Sequence, residues 1–195
     1  MNHRTTMILL TWLLVAACAP QTDVMRTDLT RQAGVYIVGY TADQNLRRQF
    51  ENQLARDLAT HDMRAFVSHA DVPDVTQTTS TQLVRMANTH AAVAIVVVNP
   101  VGEQIINDSR RVTAQDSTVA AYLQRIRARD YPQTPPDEVV VAEVSGFLID
   151  GERTRLSWSG TTAAFRGYGG GEAITAISAA VAEGLQQARA QLRSN

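Results

Sequence analysis

An α/β fold with a mixed sheet is predicted by three observations. Apolar runs alternate with helical patterns in the first half of the chain, which indicates βαβ units with parallel strands. Two later apolar runs flank Asp150-Gly151, a dipeptide favoured in tight turns, which indicates an antiparallel hairpin. Apolar residues with helical spacing follow near the carboxyl terminus. The predicted order is βαβαβ, a helix, a β-hairpin and a last helix, in a single domain.

The first half of this domain is predicted to hold three strands and two helices. The strands lie at residues 34–40, 63–69 and 91–99, where β-branched and aromatic residues are concentrated. Between the first two strands, large apolar residues recur every four positions, at Leu46, Phe50, Leu54 and Leu58. Asp43 or Asn45 is available to cap this helix, and a second helix is predicted over residues 79–90. The run at 91–99 does not alternate, which favours a central strand covered on both faces.

The second half begins with a less regular insertion, residues 100–137. It contains a predicted helix capped by Asp116 or Ser117. The hairpin and a long helix follow. Apolar or small residues recur on one face of that helix, at Ile174, Ser178, Val181, Leu185, Ala188 and Leu192. We expect this stripe to pack on the sheet or on a partner chain; self-assembly would favour an exposed Leu185, Ala188 and Leu192.

The amino terminus has the pattern of an export signal. Arg4 precedes an uncharged stretch from Met7 to Ala17 that ends in small residues. This stretch is shorter than the roughly 20 residues that a membrane-spanning helix needs. We therefore expect residues 1–17 to be a signal peptide. Residues 18–33 are polar and aperiodic, as in a short flexible spacer, so the domain is predicted to occupy residues 34–195.

The end of the signal resembles the lipobox of bacterial lipoproteins, in the sequence Val15-Ala16-Ala17-Cys18. The resemblance implies cleavage before Cys18 and acylation of its sulfur and amino group, for example with palmitate. Cys18 is the only cysteine, so no intrachain disulfide competes for it. The next residue is Ala19 and not aspartate, which resembles the sorting pattern for the outer membrane. The resemblance implies a lipid-anchored protein that faces the periplasm.

The domain resembles three groups of envelope proteins. These are the amino-terminal domain of the Tol-system β-propeller protein, the curli secretion channel lipoprotein, and the lipoprotein activators of penicillin-binding proteins. Residues 34–40, 46–61 and 91–98 carry the resemblance, together with the hairpin sequence VSGFLIDGERTRLSWSG. Several uncharacterised bacterial lipoprotein families share the pattern, whereas residues 100–137 have no evident counterpart in it. The resemblance implies a fold and a compartment.

Composition excludes several kinds of chemistry. The chain has 195 residues and a formal net charge of −1, so it has no general attraction for nucleic acid. It contains no lysine, which excludes a P-loop lysine and a Schiff-base lysine. No cofactor is expected.

Two short sequences invite a catalytic interpretation. Ser68, His69 and Asp71 lie within four residues, but a catalytic triad needs groups that converge from separate elements. The sequence RGYGGGE precedes a helix, yet it lacks the lysine and the βαβ frame of a phosphate loop, so we expect a flexible hinge there. The sequence therefore predicts that the protein is not an enzyme.

Histidines are candidates for a metal site, but helix ends explain them better. His61 and His90 each end a predicted helix just before a strand, where a histidine can bind the last free carbonyls and complement the helix dipole. No metal site is predicted. If the second and third strands are parallel neighbours, both histidines lie at the same end of the sheet, where a weak ion site or a pH response stays open.

Candidate contact residues fall into two groups. The first group consists of possible partner contacts. Arg125 and Arg129 lie in an arginine-rich insertion, which suits a solvated surface or an anionic partner. Trp158 suits a half-buried position in the sheet or a contact with a partner. The second group follows the parallel strands, whose carboxyl ends are the usual place for a ligand: Tyr40, Thr41, His69 and Asn99.

The predicted function follows from the anchor and from the lack of a catalytic group. We expect a non-enzymatic envelope lipoprotein that binds an envelope protein partner or assembles with itself. The alternative is a small-ligand or polysaccharide-binding accessory of an envelope transport or export system.

Overall fold

The computed structural model describes residues 34–101, 117–128, 139–165 and 170–194. The strands are β1 (Gly34–Gly39), β2 (Arg64–Val67), β3 (Ala92–Val101), β4 (Val139–Asp150) and β5 (Arg153–Phe165). The helices in these ranges are α1 (Gln44–Thr60), α2 (Ser80–Thr89), α3 (Val119–Ala128) and α4 (Gly170–Ser194). The predicted signal peptide, Cys18, the spacer, much of the insertion and Arg129 lie outside the described residues.

The predicted mixed sheet is confirmed, with the strand order β2-β1-β3-β4-β5. β1 pairs in parallel with both β2 and β3, and the remaining neighbours are antiparallel. β3 lies at the centre of the sheet, as its uninterrupted apolar run predicts. The carboxyl ends of β1, β2 and β3 therefore lie at the same end of the sheet. We call this end the carboxyl edge, to distinguish it from the two sides of the sheet that the outer strands β2 and β5 form.

Helices cover both faces of the sheet. Val35 and Ile37 of β1 belong to a core that includes residues of α1 and α4, called here the first face. Tyr36 and Val38 point the other way, into a core that includes residues of α2 and α3, the second face. The alternation follows from the two-residue period of a strand. Because β1 lies between β2 and β3 in the sheet, the chain passes over β1 on its way from β2 to β3, and α2 covers the second face on that path.

Capping side chains fix the helix starts. The Asp43 carboxylate accepts the N–H groups of Asn45 and Leu46 at the start of α1, at 2.9 and 3.1 Å. The predicted cap of α3 at Asp116 or Ser117 is wrong. Thr118 directly precedes the helix, and its hydroxyl accepts the Ala121 N–H at 3.2 Å. A capping side chain accepts the N–H of the second or third helical residue, and Ala121 is the third, so Thr118 is the cap.

Two other predicted boundaries shift. β2 ends at Val67 and a short 3₁₀ turn, Ser68–Ala70, follows where the sequence predicts strand. In the hairpin, Asp150 pairs with Arg153, so the turn consists of Gly151 and Glu152 instead of being centred on Asp150-Gly151. Gly151 has a φ of +60°, which glycine adopts without steric cost and which suits the first central position of a type II′ turn.

The last helix packs closely on the hairpin. Trp158 of β5 is partly buried against the first-face core, as its half-buried interpretation predicts, and its indole lies beside Gly184 of α4. Leu185 packs on the same core, so it belongs to this helix–sheet contact. The side chains of Ala188 and Leu192 lie outside the described set. Within the described ranges, no helix combines the length and the hydropathy needed to cross a membrane.

We predict that Gly184→Ala lowers the free energy of unfolding by about 1 kcal/mol. An added Cβ would lie 2.9 Å from Cζ2 of Trp158, and overpacking of this kind costs about 1–3 kcal/mol, more than the roughly 1 kcal/mol by which alanine favours a helix. Gly171→Ala is the matched control, since its Cβ would meet nothing within 4 Å and should be neutral or stabilising. Urea unfolding measures the free energy of unfolding of both variants. An equal increase in the two would contradict the close packing of Gly184 on Trp158.

Candidate functional site

The carboxyl edge gathers the predicted ligand residues of the parallel strands. Tyr40 directly follows β1, and its N–H donates to the Val98 carbonyl at 2.8 Å, so Tyr40 lies beside the end of β3. Asn99 lies in β3, Thr41 follows Tyr40, and His69 follows β2. The four residues share this edge, but their side chains do not form one network: His69 is bound on the first face, whereas Tyr40 and Asn99 lie on the second.

The first network centres on the buried carboxylate of Glu51. This side chain is fully buried and accepts five hydrogen bonds. Oε1 accepts from the Gly39 N–H at 2.8 Å, from Nε of Arg47 at 3.1 Å and from the Ser68 hydroxyl at 2.7 Å. Oε2 accepts from the His69 N–H at 2.8 Å and lies 2.8 Å from Nδ1 of the same residue. One α1 carboxylate therefore binds the end of β1 and the turn after β2.

Arg47 completes this network from the preceding helical turn. Its guanidinium is fully buried and donates to the Ser68 hydroxyl at 2.7 Å and to the Val72 carbonyl at 2.8 Å, besides its ion pair with Glu51. Planar geometry with several donors lets arginine serve these acceptors at once. We call Arg47, Glu51, Ser68 and His69 the Glu51 network.

The Glu51 network lacks the hydrogen bond that a serine nucleophile requires. The Ser68 hydroxyl donates to Glu51 and accepts from Arg47, so it is not bonded to a histidine base. Nδ1 of His69 lies 2.8 Å from Oε2 of the same carboxylate, and since a carboxylate accepts hydrogen bonds, Nδ1 is the donor of this contact. The arrangement orients a histidine without presenting it to Ser68.

His90 takes part in a second polar group, on the second face. Its position at the end of α2 is as predicted, but its ring binds a carboxylate instead of helix carbonyls: Nε2 lies 2.8 Å from Oδ2 of Asp71. The Tyr36 hydroxyl donates to that oxygen at 3.1 Å, and the His90 ring stacks on Phe66 at 4.7 Å. Burial, followed by the charge of Asp71, raises the pKa of Tyr36 above its ordinary value.

Tyr40 and Asn99 belong to the second face, at the carboxyl ends of the neighbouring strands β1 and β3. The sheet order places the topological switch point between these two strands, and the region outside their carboxyl ends is called here the crevice between β1 and β3. The exposed Arg127 of α3 donates from Nε to the Tyr40 hydroxyl at 3.2 Å and from Nη2 to the Thr78 carbonyl. Asn99 is only 3% exposed, and its Nδ2 has no hydrogen-bond partner among the described residues. A topological switch point of this kind is where α/β sheets usually bind ligands.

A buried ion pair lies next to Asn99. Glu143 of β4 is directly opposite Asn99 in the sheet and is bound by Arg125 of α3. Arg125 also lies over the Tyr122 ring, with its central carbon 4.9 Å from the ring centroid. The predicted contact residue Arg125 is thus 18% exposed and paired within the domain. Trp158, the other predicted contact, lies on the first face beneath α4.

The charged residues that organise this edge were missed by the sequence reasoning. Arg47 and Glu51 are four positions apart on the inward stripe of α1, and Glu143 interrupts an apolar strand. Charge inside an apolar stripe is the signal that could have indicated them, since charged groups are rarely buried without a partner. Thr41 has a local role, because its hydroxyl accepts the Asp43 N–H at 3.3 Å.

Metal ligands do not converge in the described ranges: no group of three or more His, Cys, Asp or Glu side chains could hold an ion there. His69 and His90 are each bound to a different carboxylate.

Comparison of the sequence with protein-family models and with curated proteins returns no match. Solved structures give distant similarities. A PelC dodecamer from Paraburkholderia phytofirmans is 15% identical with a TM-score of 0.40, over 78% of this chain and 88% of that one. Lipoprotein GNA1162 from Neisseria meningitidis is 12% identical with a TM-score of 0.38, over 80% and 99%. The hypothetical protein CT253 from Chlamydia trachomatis is 14% identical with a TM-score of 0.35, over 83% and 94%. Similarity at this level assigns neither a family nor a function to the chain.

We predict that the Arg47–Glu51 pair is strongly coupled. Arg47→Met or Glu51→Leu alone should lower the free energy of unfolding by about 3–5 kcal/mol, because each leaves a buried charge without its partner. The double variant should lose clearly less than the sum of the two. Urea unfolding of the wild type, the two single variants and the double variant measures this coupling. Gln53→Ala is the control on the same helix: it removes a partly exposed hydrogen bond to Asp57 and should lower the free energy of unfolding by less than about 1 kcal/mol. Additive single effects would contradict the coupling.

Proposed function

We propose that the chain is a lipid-anchored envelope protein whose α/β domain is a non-enzymatic interaction module facing the periplasm. The anchor is Cys18 at the end of the export signal, and two or more acyl chains hold a protein firmly on a membrane without spanning it.

The observation that carries the non-enzymatic part is the saturation of the Glu51 network. The serine, histidine and carboxylate that would be candidates for catalysis are bound to one another and to backbone N–H groups at the end of β1 and in the turn after β2. Such a network positions structure and does not offer a free nucleophile beside a base. The domain then acts through its surfaces, on an envelope protein or on another copy of itself.

A second candidate function is the binding of a small ligand or a polysaccharide in the crevice between β1 and β3. The specific observation in its favour is Asn99, which lies at the switch point of the sheet and whose buried amide nitrogen has no hydrogen-bond partner among the described residues. Arg127 provides an exposed cationic donor beside Tyr40 at the same edge. Donors of this kind suit a ligand with hydroxyl and carboxylate oxygens.

The anchor is tested by expressing the full chain in a Gram-negative host fed with labelled palmitate. We expect label in the wild type and none in Cys18→Ser, because the thiol is the acylation site. Ala19→Asp is the matched control: it should keep the label and shift the protein from the outer to the inner membrane. Absence of label from the wild type, or its persistence in Cys18→Ser, would contradict the proposal.

The second candidate function is tested by nuclear magnetic resonance with a short uronic-acid oligosaccharide, whose carboxylates and hydroxyls match the donors of the crevice. We expect amide shifts at Tyr40, Asn99 and Arg127, weakened by Arg127→Gln. Shifts confined to another surface would exclude the crevice as the site.

A further inference from the structure

Buried polar side chains lie together on the second face of β3 and β4. Asn99 is 3% exposed, and Glu143 and Ser145 are completely buried. Asn99 lies opposite Glu143 in the antiparallel pair, and Ser145 is two positions along β4 from Glu143, so the three side chains share one face of the sheet. Asn99 and Ser145 are diagonal neighbours, with Cβ atoms about 7 Å apart, and one bridging molecule can span the gap between their polar atoms.

Helix α3 covers this polar group. Tyr122 packs edge-on against Phe147, with the ring centroids 5.6 Å apart, and one turn later Arg125 binds the Glu143 carboxylate. Phe147 and Glu143 flank Ser145 on the same face of β4. Ser145 therefore lies beneath this turn of α3, which separates its hydroxyl from solvent.

Two members of the group have hydrogen-bonding capacity that the described residues do not use. Nδ2 of Asn99 and Oγ of Ser145 are buried, and neither has a hydrogen-bond partner among the described residues. An amide nitrogen donates, whereas a hydroxyl both donates and accepts. The Glu143 carboxylate beside them is bound by Arg125, and its two oxygens have lone pairs for further donors. Native proteins rarely leave buried groups of this kind unpaired, because the loss of hydration then has no compensation.

Water is the small molecule that fits these three groups. It can accept from the Asn99 amide, bond with the Ser145 hydroxyl and donate to the Glu143 carboxylate. Buried waters typically make about three hydrogen bonds to polar groups that the protein itself does not pair. A cation fits less well, because the guanidinium of Arg125 already pairs with Glu143.

We infer that Asn99 and Ser145 are bridged by one internal water molecule, which also donates to Glu143, between the sheet and α3. This inference goes beyond the proposed function and depends neither on the anchor nor on a partner. It bears on the second candidate function at one point. A ligand in the crevice between β1 and β3 would reach the Asn99 amide through this water, and water-mediated contacts of this kind are common in binding sites.

Oxygen-17 magnetic relaxation dispersion tests the inference, because it counts water molecules that stay in a protein for longer than its tumbling time. We expect the full chain in detergent micelles to lose one long-lived water in Ser145→Ala and also in Asn99→Leu, since the bridge needs both groups. Ser178→Ala is the matched control and should lose none. Ser178 of α4 is also fully buried, without a described partner for its hydroxyl, but its helix neighbours Ile174 and Val181 belong to an apolar core.

Three results would overturn the inference. They are an unchanged number of long-lived waters in Ser145→Ala, an unchanged number in Asn99→Leu, and an equal loss in the Ser178→Ala control.

A second measurement needs no substitution and decides the question if Asn99→Leu does not fold. In rotating-frame Overhauser spectra, dipolar contact with water and chemical exchange with water give cross-peaks of opposite sign. We expect a cross-peak of the dipolar sign between water and the side-chain NH₂ protons of Asn99 in the wild type. A cross-peak of the exchange sign alone, or no cross-peak, would overturn the inference.

Discussion

The structure depends on one buried carboxylate that joins three segments of the chain. Glu51 comes from α1, yet it accepts hydrogen bonds from the end of β1 and from the turn after β2. A buried charge is stable only when it is paired and its lone pairs are used, and Arg47 and Ser68 complete that requirement. The carboxyl edge on the first face is therefore a structural joint, although its residue types resemble a catalytic group.

This joint gives the domain two chemically different sides. On the first face, polar groups at the carboxyl edge are bound to one another. On the second face, the crevice between β1 and β3 holds the exposed Arg127 and the amide of Asn99 beside the buried Arg125–Glu143 pair. The two faces therefore differ at the carboxyl edge: the polar groups of the first face are paired with one another, whereas the second face keeps an exposed cation and an amide nitrogen without a partner among the described residues.

Much of the fold could be predicted from sequence because hydrophobic period reports secondary structure directly. The strands, the helices and the central position of β3 follow from such patterns. The end of β2 at Val67 could not, because the Glu51 network stabilises the following 3₁₀ turn through contacts between distant residues. Parallel topology predicts that the four candidate ligand residues, Tyr40, Thr41, His69 and Asn99, lie at one edge. It does not predict that His69 and Tyr40 have different partners, because Glu51 of α1 binds His69 whereas Arg127 of α3 binds Tyr40. Arg125 was predicted as a surface contact, since its partner Glu143 is 18 positions away.

Amide hydrogen exchange at Gly39 and His69 tests the role of Glu51 most directly. Both N–H groups donate to this carboxylate at 2.8 Å, so they should exchange only when the whole domain unfolds. We expect their protection to equal that of Val96 and Val97 in the central strand. Exchange at Gly39 and His69 that is orders of magnitude faster, while β3 stays protected, would show that the Glu51 network opens locally and does not hold the fold together.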